Sequence, residues 1–310
     1  MEGYPYFKNV YIYDNIRTRR FDEKIKTDLK GKIQFFKKLK AEKFDLIFDI
    51  TGLFWTAFAV FYLKPLYSAG FNYQGFDFVY NFSSEAVTHG HLIDRHLNLI
   101  SKNPVFTDMY IDDEESAKPK FYISGNVNQM HQKYRDNNLD LSSPKIIFHL
   151  TAGWESKKWD IINFIELAKL LPVDFQIILV GSADDIKTGE KFVNSLKRKV
   201  INFIGKLTFS ETGELMRISD LFIGSDSGPL YIAEAVGTKT ISLFGPTNPL
   251  FSAPRGKEHT CIYNKLFCSA EDNEQNCILI AGLNCKTIDC MKMIKPDDVY
   301  KAVVAQLSIV

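Results

Sequence analysis

The sequence is short of cysteine, of long apolar runs and of charge imbalance, and each shortage closes a route. Five Cys occur among 310 residues, at 261, 268, 277, 285 and 290. Their odd number and the lack of any Cys-x-x-Cys pair exclude a disulfide-built scaffold, and free thiols under a loop are expected, with a metal or redox pair as the alternative. The longest apolar run, LFWTAFAVFYL at 53–63, is interrupted by Thr56. It is far shorter than the roughly 20 residues a membrane span requires, so a buried helix is expected. The opening MEGYPYFKNVYIYD has neither the basic segment nor the apolar stretch of a secretory signal, which predicts a cytoplasmic protein. With 38 Lys+Arg against 37 Asp+Glu the formal net charge is +1, so composition gives no reason to expect a nucleic acid partner.

What is present reads as alternating α/β structure. From 145 onward, the apolar runs KIIFHL (145–150), FQIILVG (175–181), INFIG (201–205), DLFIG (220–224) and KTISLFG (239–245) alternate with amphipathic stretches at 161–171, 184–197 and 211–218. Strands buried on both faces have this continuous apolar character, and their alternation with helices predicts a doubly wound parallel sheet. The first 140 residues follow the same grammar less cleanly. NVYIYD (9–14), FDLIFDI (44–50) and FDFVYNF (76–82) are strand candidates, with a basic helix at 23–42 and a further helix at 126–137. The loop LDLSSP places a domain boundary near 142–144, giving Rossmann-like domains at 1–143 and 144–310 that face a cleft.

Three loops at strand ends carry the chemistry. Ser225, Asp226, Ser227 and Gly228 form a turn into a helix with Pro229 in its first turn, where free N–H groups and the positive helix end suit a phosphate. Simple helix capping is the competing explanation. The next strand ends in Phe244-Gly245-Pro246-Thr247-Asn248-Pro249, and small-residue loops at neighbouring strand ends line the crevice where open α/β sheets bind ligands. The segment HLTAGWESKKWD (149–160) adds Thr151, Gly153, Lys157 and Lys158, whose charges either meet a phosphate or form a solvated pair. Asp184, after Gly181, is placed either to reach a nucleoside or to serve as an ordinary helix N-terminal acid.

The ordered set Asp226, Ser227, Gly228, Pro229, Ala233, Gly237, Phe244, Gly245, Pro246, Thr247 and Pro249 resembles bacterial glycosyltransferase family 9, the ADP-heptose:lipopolysaccharide heptosyltransferases. Lys157-Lys158-Trp159 is similar to the family's Lys-x-Trp element, Asp49-Ile50-Thr51-Gly52 to its strand end, and His91-Leu92-Ile93-Asp94-Arg95 to its His-x-x-Asp-Arg helix. Cys290-Met291 before a final helix matches its Cys-rich tail. The resemblance implies an α/β, GT-B-like fold that holds a nucleotide sugar, ADP-heptose, on Thr151, Gly153, Lys157, Gly181, Asp184, Asp226, Ser227, Gly228, Pro229, Gly245 and Thr247. It implies inverting transfer to a lipopolysaccharide-core or similar glycan acceptor, with neither metal nor cofactor.

Two departures stand out. Tyr231 occupies the position where the family has His. The family's opening strand and the Gly-Asp loop carrying its general base have no counterpart after Met1, so the N-terminal domain is expected to lack its first βα unit. Asp49, with His89 and His91, is the stand-in candidate for the base. A catalytically inactive nucleotide-sugar-binding protein and a sugar-nucleotide epimerase are the alternatives. Residues 1–45 hold 12 Lys+Arg and 7 Asp+Glu, a local net of +5, which suits a solvated helix or peripheral contact with an anionic inner membrane face bearing a lipid-linked acceptor.

Overall fold

The structure, a computed structural model, describes residues 7–11, 29–72, 75–85, 90–101, 118–272, 274–278 and 285–308. The chain divides into two units, Met1–Ala117 and Lys118–Val310.

The first unit runs α1 (Leu29–Ala41), β1 (Leu46–Asp49), α2 (Phe54–Leu63), β2 (Tyr67–Asn72), β3 (Phe82–Glu85) and α3 (Leu92–Ser101). Its strands pair in parallel in the order β1-β2-β3. The strand expected at 44–50 is β1. The one expected at 76–82 is instead a 3-10 turn, Asp77–Val79, leading into β3. That turn sets Tyr80 against Gly70, where any Cβ would lie 2.4 Å from the Tyr80 ring. The small residues Ser68, Ala69 and Gly70 give β2 a loop-like composition, so composition alone predicts no strand there. Of the strand expected at 9–14, residues 9–11 carry no strand and 12–14 lie outside the described residues. The basic helix appears as α1, with 23–28 outside the described residues. The apolar run at 53–63 is helical as expected but buried on one face only. Ala57 and Val60 face the core, whereas Phe54, Phe58 and Phe61 are exposed.

The second unit runs α4 (Val127–Asp136), β4 (Lys145–His149), α5 (Ile161–Leu170), β5 (Gln176–Leu179), α6 (Ile186–Asn194), β6 (Val200–Asn202), α7 (Phe209–Arg217), β7 (Leu221–Ser225), α8 (Gly228–Ala235), β8 (Thr240–Phe244), α9 (Pro249–Ser252), β9 (His259–Tyr263), α10 (Asp289–Lys292) and α11 (Pro296–Leu307). Its six strands are parallel, in the order β6-β5-β4-β7-β8-β9. Successive side chains of a strand point to opposite faces. Ile146 and Phe148 therefore pack with Phe164 of α5 and Val299 of α11. Ile147 packs on the other face with Leu215 of α7 and Leu230 of α8. Both faces are covered, which is what the unbroken apolar runs required.

The expected boundary at 142–144 lies inside the second unit. Helix α4 belongs to that unit because Met130 and Tyr134 enter the core with Phe203 and Met216. Strand β9 was not foreseen, since its sequence HTCIY has no extended apolar run. Among the described residues, no helix is long and apolar enough to cross a membrane.

Candidate functional site

In the second unit the strand order reverses between β4 and β7. From β4 the chain proceeds outward to β5 and β6, then returns to place β7, β8 and β9 on the other side. Ligands of open α/β sheets bind at such a switch point, beyond the carboxyl ends of the strands. The loops after β4, β7 and β8 all emerge at that edge.

The loop after β4 is anchored by Trp159. Its ring is buried edge-on against Phe164 at 4.7 Å between centroids, and its Nε1–H donates to the Ile294 carbonyl at 2.9 Å. This anchor and the 3-10 turn Glu155–Lys157 separate the two lysines. Lys158 turns to the exposed Glu155 at 2.6 Å. Lys157 reaches Asp226 of the next loop, Nζ to Oδ2 at 2.6 Å, with 16% and 10% of the two side chains exposed. The same Oδ2 accepts from Thr247 Oγ1 at 2.8 Å, so one carboxylate joins the three loops. Tyr231 donates its hydroxyl to Oδ1. Burial and the Asp226 carboxylate push the Tyr231 phenol far above its ordinary value, which keeps it a donor.

Ser227 lies beside this cluster at the start of α8. Its hydroxyl donates to the Ser225 carbonyl at 3.0 Å, so its 3.2 Å contact with His149 Nδ1 has the imidazole as donor. That assigns the Nδ1–H tautomer and leaves Nε2 facing Thr151 Oγ1 at a long 3.4 Å. Burial depresses the His149 pKa to about 4, opposed only weakly by Asp185, so the ring is neutral at pH 7. No side chain caps α8, and Pro229 occupies its first turn. The helix therefore presents its positive end and backbone N–H groups beside Lys157. Added Cβ atoms at Gly153 and Gly228 would meet nothing within 4 Å, so neither glycine is dictated by packing. Gly245 is different, because a Cβ there would lie 2.4 Å from Met291 Sδ.

The remaining expected site residues fall elsewhere. Gly181 lies two residues beyond β5, and its carbonyl accepts from Gly205 N at 3.0 Å. Asp184 is exposed on the 3-10 turn Ala183–Asp185. In that turn Asp185 closes the cap, accepting from Ser182 N and Oγ, each at 2.8 Å. In the first unit, the stand-in base Asp49 is buried and fully engaged. Its Oδ1 accepts from Thr51 N at 3.0 Å, Thr51 Oγ1 at 2.9 Å and Gly52 N at 3.0 Å, and its Oδ2 from the Tyr80 hydroxyl at 2.7 Å. This carboxylate ties down the turn into α2, and its lone pairs are spent inside the unit. His91 precedes α3 and accepts from Ile93 N through Nδ1 at 3.3 Å, while His89 lies outside the described residues. All five thiols are free.

Sequence reading missed His149, Asp185 and the Tyr231–Asp226 bond. A visible signal existed for His149 alone, as a titratable residue closing the apolar run KIIFH. Chemically, a held ammonium and an uncapped helix N-terminus at one sheet edge suit a phosphate or diphosphate.

The chain is 28% identical over 261 residues to lipopolysaccharide heptosyltransferase 3 of Escherichia coli K12, covering 81% of this chain and 71% of that one. It is 24% identical over 230 residues to lipooligosaccharide heptosyltransferase 2 of Haemophilus influenzae, covering 71% and 66%. The chain thus spans about two thirds of the length of that relative. The solved structure of E. coli ADP-heptose LPS heptosyltransferase II superposes with a TM-score of 0.70 at 17% identity, over 89% of this chain and 80% of that one, which shows a shared GT-B-like α/β fold. The family model of glycosyltransferase family 9 (heptosyltransferase) matches residues 32–279, and the chain belongs to that family.

Proposed function

We propose that the protein transfers a heptose or related sugar from an ADP-sugar to a lipopolysaccharide-core or similar glycan acceptor, with inversion and without a metal. The observation that carries this reading is the junction at Asp226, where Lys157 and Thr247 bond to one carboxylate oxygen at 2.6 and 2.8 Å. Asp226 takes one of the three ammonium protons, and the Trp154 ring lies 4.6 Å from Nζ. The other protons, with the N–H groups of the first turn of α8, are placed for a diphosphate. As the bond from sugar to diphosphate breaks, charge grows on the leaving oxygen, and these fixed donors stabilise it without reorganising. They supply the charge compensation for which a divalent cation is otherwise used. The acceptor hydroxyl attacks the anomeric carbon from the opposite face as the bond to the diphosphate breaks, which inverts the anomeric centre, and the hydroxyl proton is released to solvent. Thr151, Gly153, Gly228 and Gly245 are assigned to the donor loops, and Gly181 and Asp184, at the neighbouring strand end, to the nucleoside. The donor named for the E. coli structure, ADP-heptose, supports the choice of nucleotide and sugar.

The test is ligand-dependent melting followed by product analysis. ADP at 100 times its Kd adds about 2.7 kcal/mol, which raises Tm by about 5–10 °C for a unit of this size. Lys157→Met and Asp226→Asn should fold and lose that shift, and mass spectrometry should find a heptosylated acceptor with the parent protein alone. Absence of an ADP shift in the parent protein, or an unchanged shift in both variants, refutes the reading.

A further inference from the structure

The loop after β4 carries a tryptophan that its packing does not require. Trp159 is 1% exposed and anchors that loop, whereas Trp154, earlier in the same loop, is 38% exposed. An indole is among the largest apolar groups a chain can bury, and leaving one open in a polar loop forfeits that burial. Its neighbours are open as well. A Cβ added at Gly153 would meet nothing within 4 Å, and Glu155 is exposed.

The indole is nonetheless held in place. Trp154 has extended backbone, φ −116° and ψ 137°, at the start of the 3-10 turn Glu155–Lys157, and its carbonyl accepts from Lys157 N at 3.1 Å. That turn folds Lys157 back over the indole, with Nζ 4.6 Å from the ring centre. The same Nζ lies 2.6 Å from Asp226 Oδ2, which also accepts from Thr247 at 2.8 Å. The ring therefore stands beside the ammonium placed for the diphosphate, tied to it by cation–π attraction, and an indole has a second face.

Covalent connectivity decides which part of a nucleotide sugar meets that face. The sugar is bonded directly to the diphosphate, whereas the base is separated from it by the ribose. A ring lying next to the group on Lys157 is therefore the sugar. The chemistry fits, because the carbon-bound hydrogens on one face of a pyranose are made partly positive by the ring's oxygens, and an aromatic face is negative. We propose that Trp154 is a substrate-contact residue that stacks on the C–H face of the donor's sugar ring and so selects a nucleotide sugar over the free nucleotide. This rests on the sugar-transfer reading and adds to it a contact that the diphosphate cradle does not supply.

The experiment is titration calorimetry of the full chain with ADP and with ADP-heptose, together with acrylamide quenching of tryptophan fluorescence. The parent protein should bind ADP-heptose more tightly than ADP, and ADP-heptose should shield a tryptophan from acrylamide where ADP does not. Trp154→Ala should reduce the ratio of ADP-heptose to ADP affinity about fivefold, the size of one aromatic contact. Trp154→Phe, which keeps an aromatic face, should retain most of that ratio and lose the shielding. Quenching of the parent protein reads the contact even if Trp154→Ala fails to fold. Normal ADP binding with an unchanged ratio in Trp154→Ala overturns the proposal and leaves the diphosphate site standing. Equal weakening of both ligands, or equal shielding by both, also overturns it, because the indole would then serve the nucleoside or the loop alone. So does a parent protein that binds ADP-heptose no more tightly than ADP. A parent protein that binds neither ligand would instead refute the sugar-transfer reading, and the role of Trp154 would fall with it.

Discussion

His149 makes the stability of the second unit sensitive to acid in a way that can be worked out from its surroundings. The imidazole is buried at the end of β4, and burial holds its pKa near 4 against an ordinary 6.5. The folded state therefore binds its proton less readily than the unfolded chain. The associated stability is fully present above pH 6.5, declines as pH falls and is exhausted near pH 4. The full effect is about 3 kcal/mol, of which about 2 kcal/mol is gone by pH 5. Urea unfolding of the parent protein and of His149→Asn, followed by tryptophan fluorescence between pH 7.5 and pH 4, isolates this contribution. The other titrating groups are common to both proteins and cancel in the difference. Asn at 149 retains an N–H for Ser227 but cannot ionise, so the variant should lose about 2 kcal/mol less than the parent between pH 7.5 and pH 5. A stability difference that stays constant across that range would refute the burial argument. An imidazole NMR titration of His149 with a midpoint near 6.5 would do the same.

Gly245→Ala should destabilise the second unit by about 1–3 kcal/mol in urea unfolding, because the added methyl meets Met291 Sδ at 2.4 Å and Cγ at 2.8 Å. Arg198 donates to the carbonyls of Ala168 and Leu171 through Nη1, both at 3.0 Å, and to those of Pro172 and Phe175 through Nη2 at 2.9 and 2.5 Å. Arg198→Met should therefore cost about 3 kcal/mol, and Arg198→Lys should recover only part of it, since a point charge cannot span two pairs of carbonyls.

The sequence by itself determined the parallel architecture of the second unit and the loops that carry its chemistry. KIIFH, QIIL and LFIGS are apolar without strict alternation because helices cover both faces of their sheet, so burial is written directly into composition. Likewise Asp226-Ser227-Gly228-Pro229 and Gly245-Pro246-Thr247 are local turn and helix-start chemistry, legible from neighbouring residues. Only the tertiary structure decided what those residues bond to. Lys157 and Lys158 are adjacent in sequence, yet one meets Asp226 and the other Glu155, because Trp159 is pinned to the Ile294 carbonyl far along the chain. The assignment of α4 to the second unit, the one-sided burial of α2 and the strand identity of YSAGFN depend in the same way on contacts between distant segments. Asp49 shows the principle most plainly. A carboxylate at a strand end reads as a free base until Tyr80, 31 residues away, and the turn at Thr51 occupy both its oxygens. Local sequence sets backbone conformation through short-range sterics, whereas a side chain's protonation and partners follow from burial and from neighbours that only folding brings within hydrogen-bonding distance.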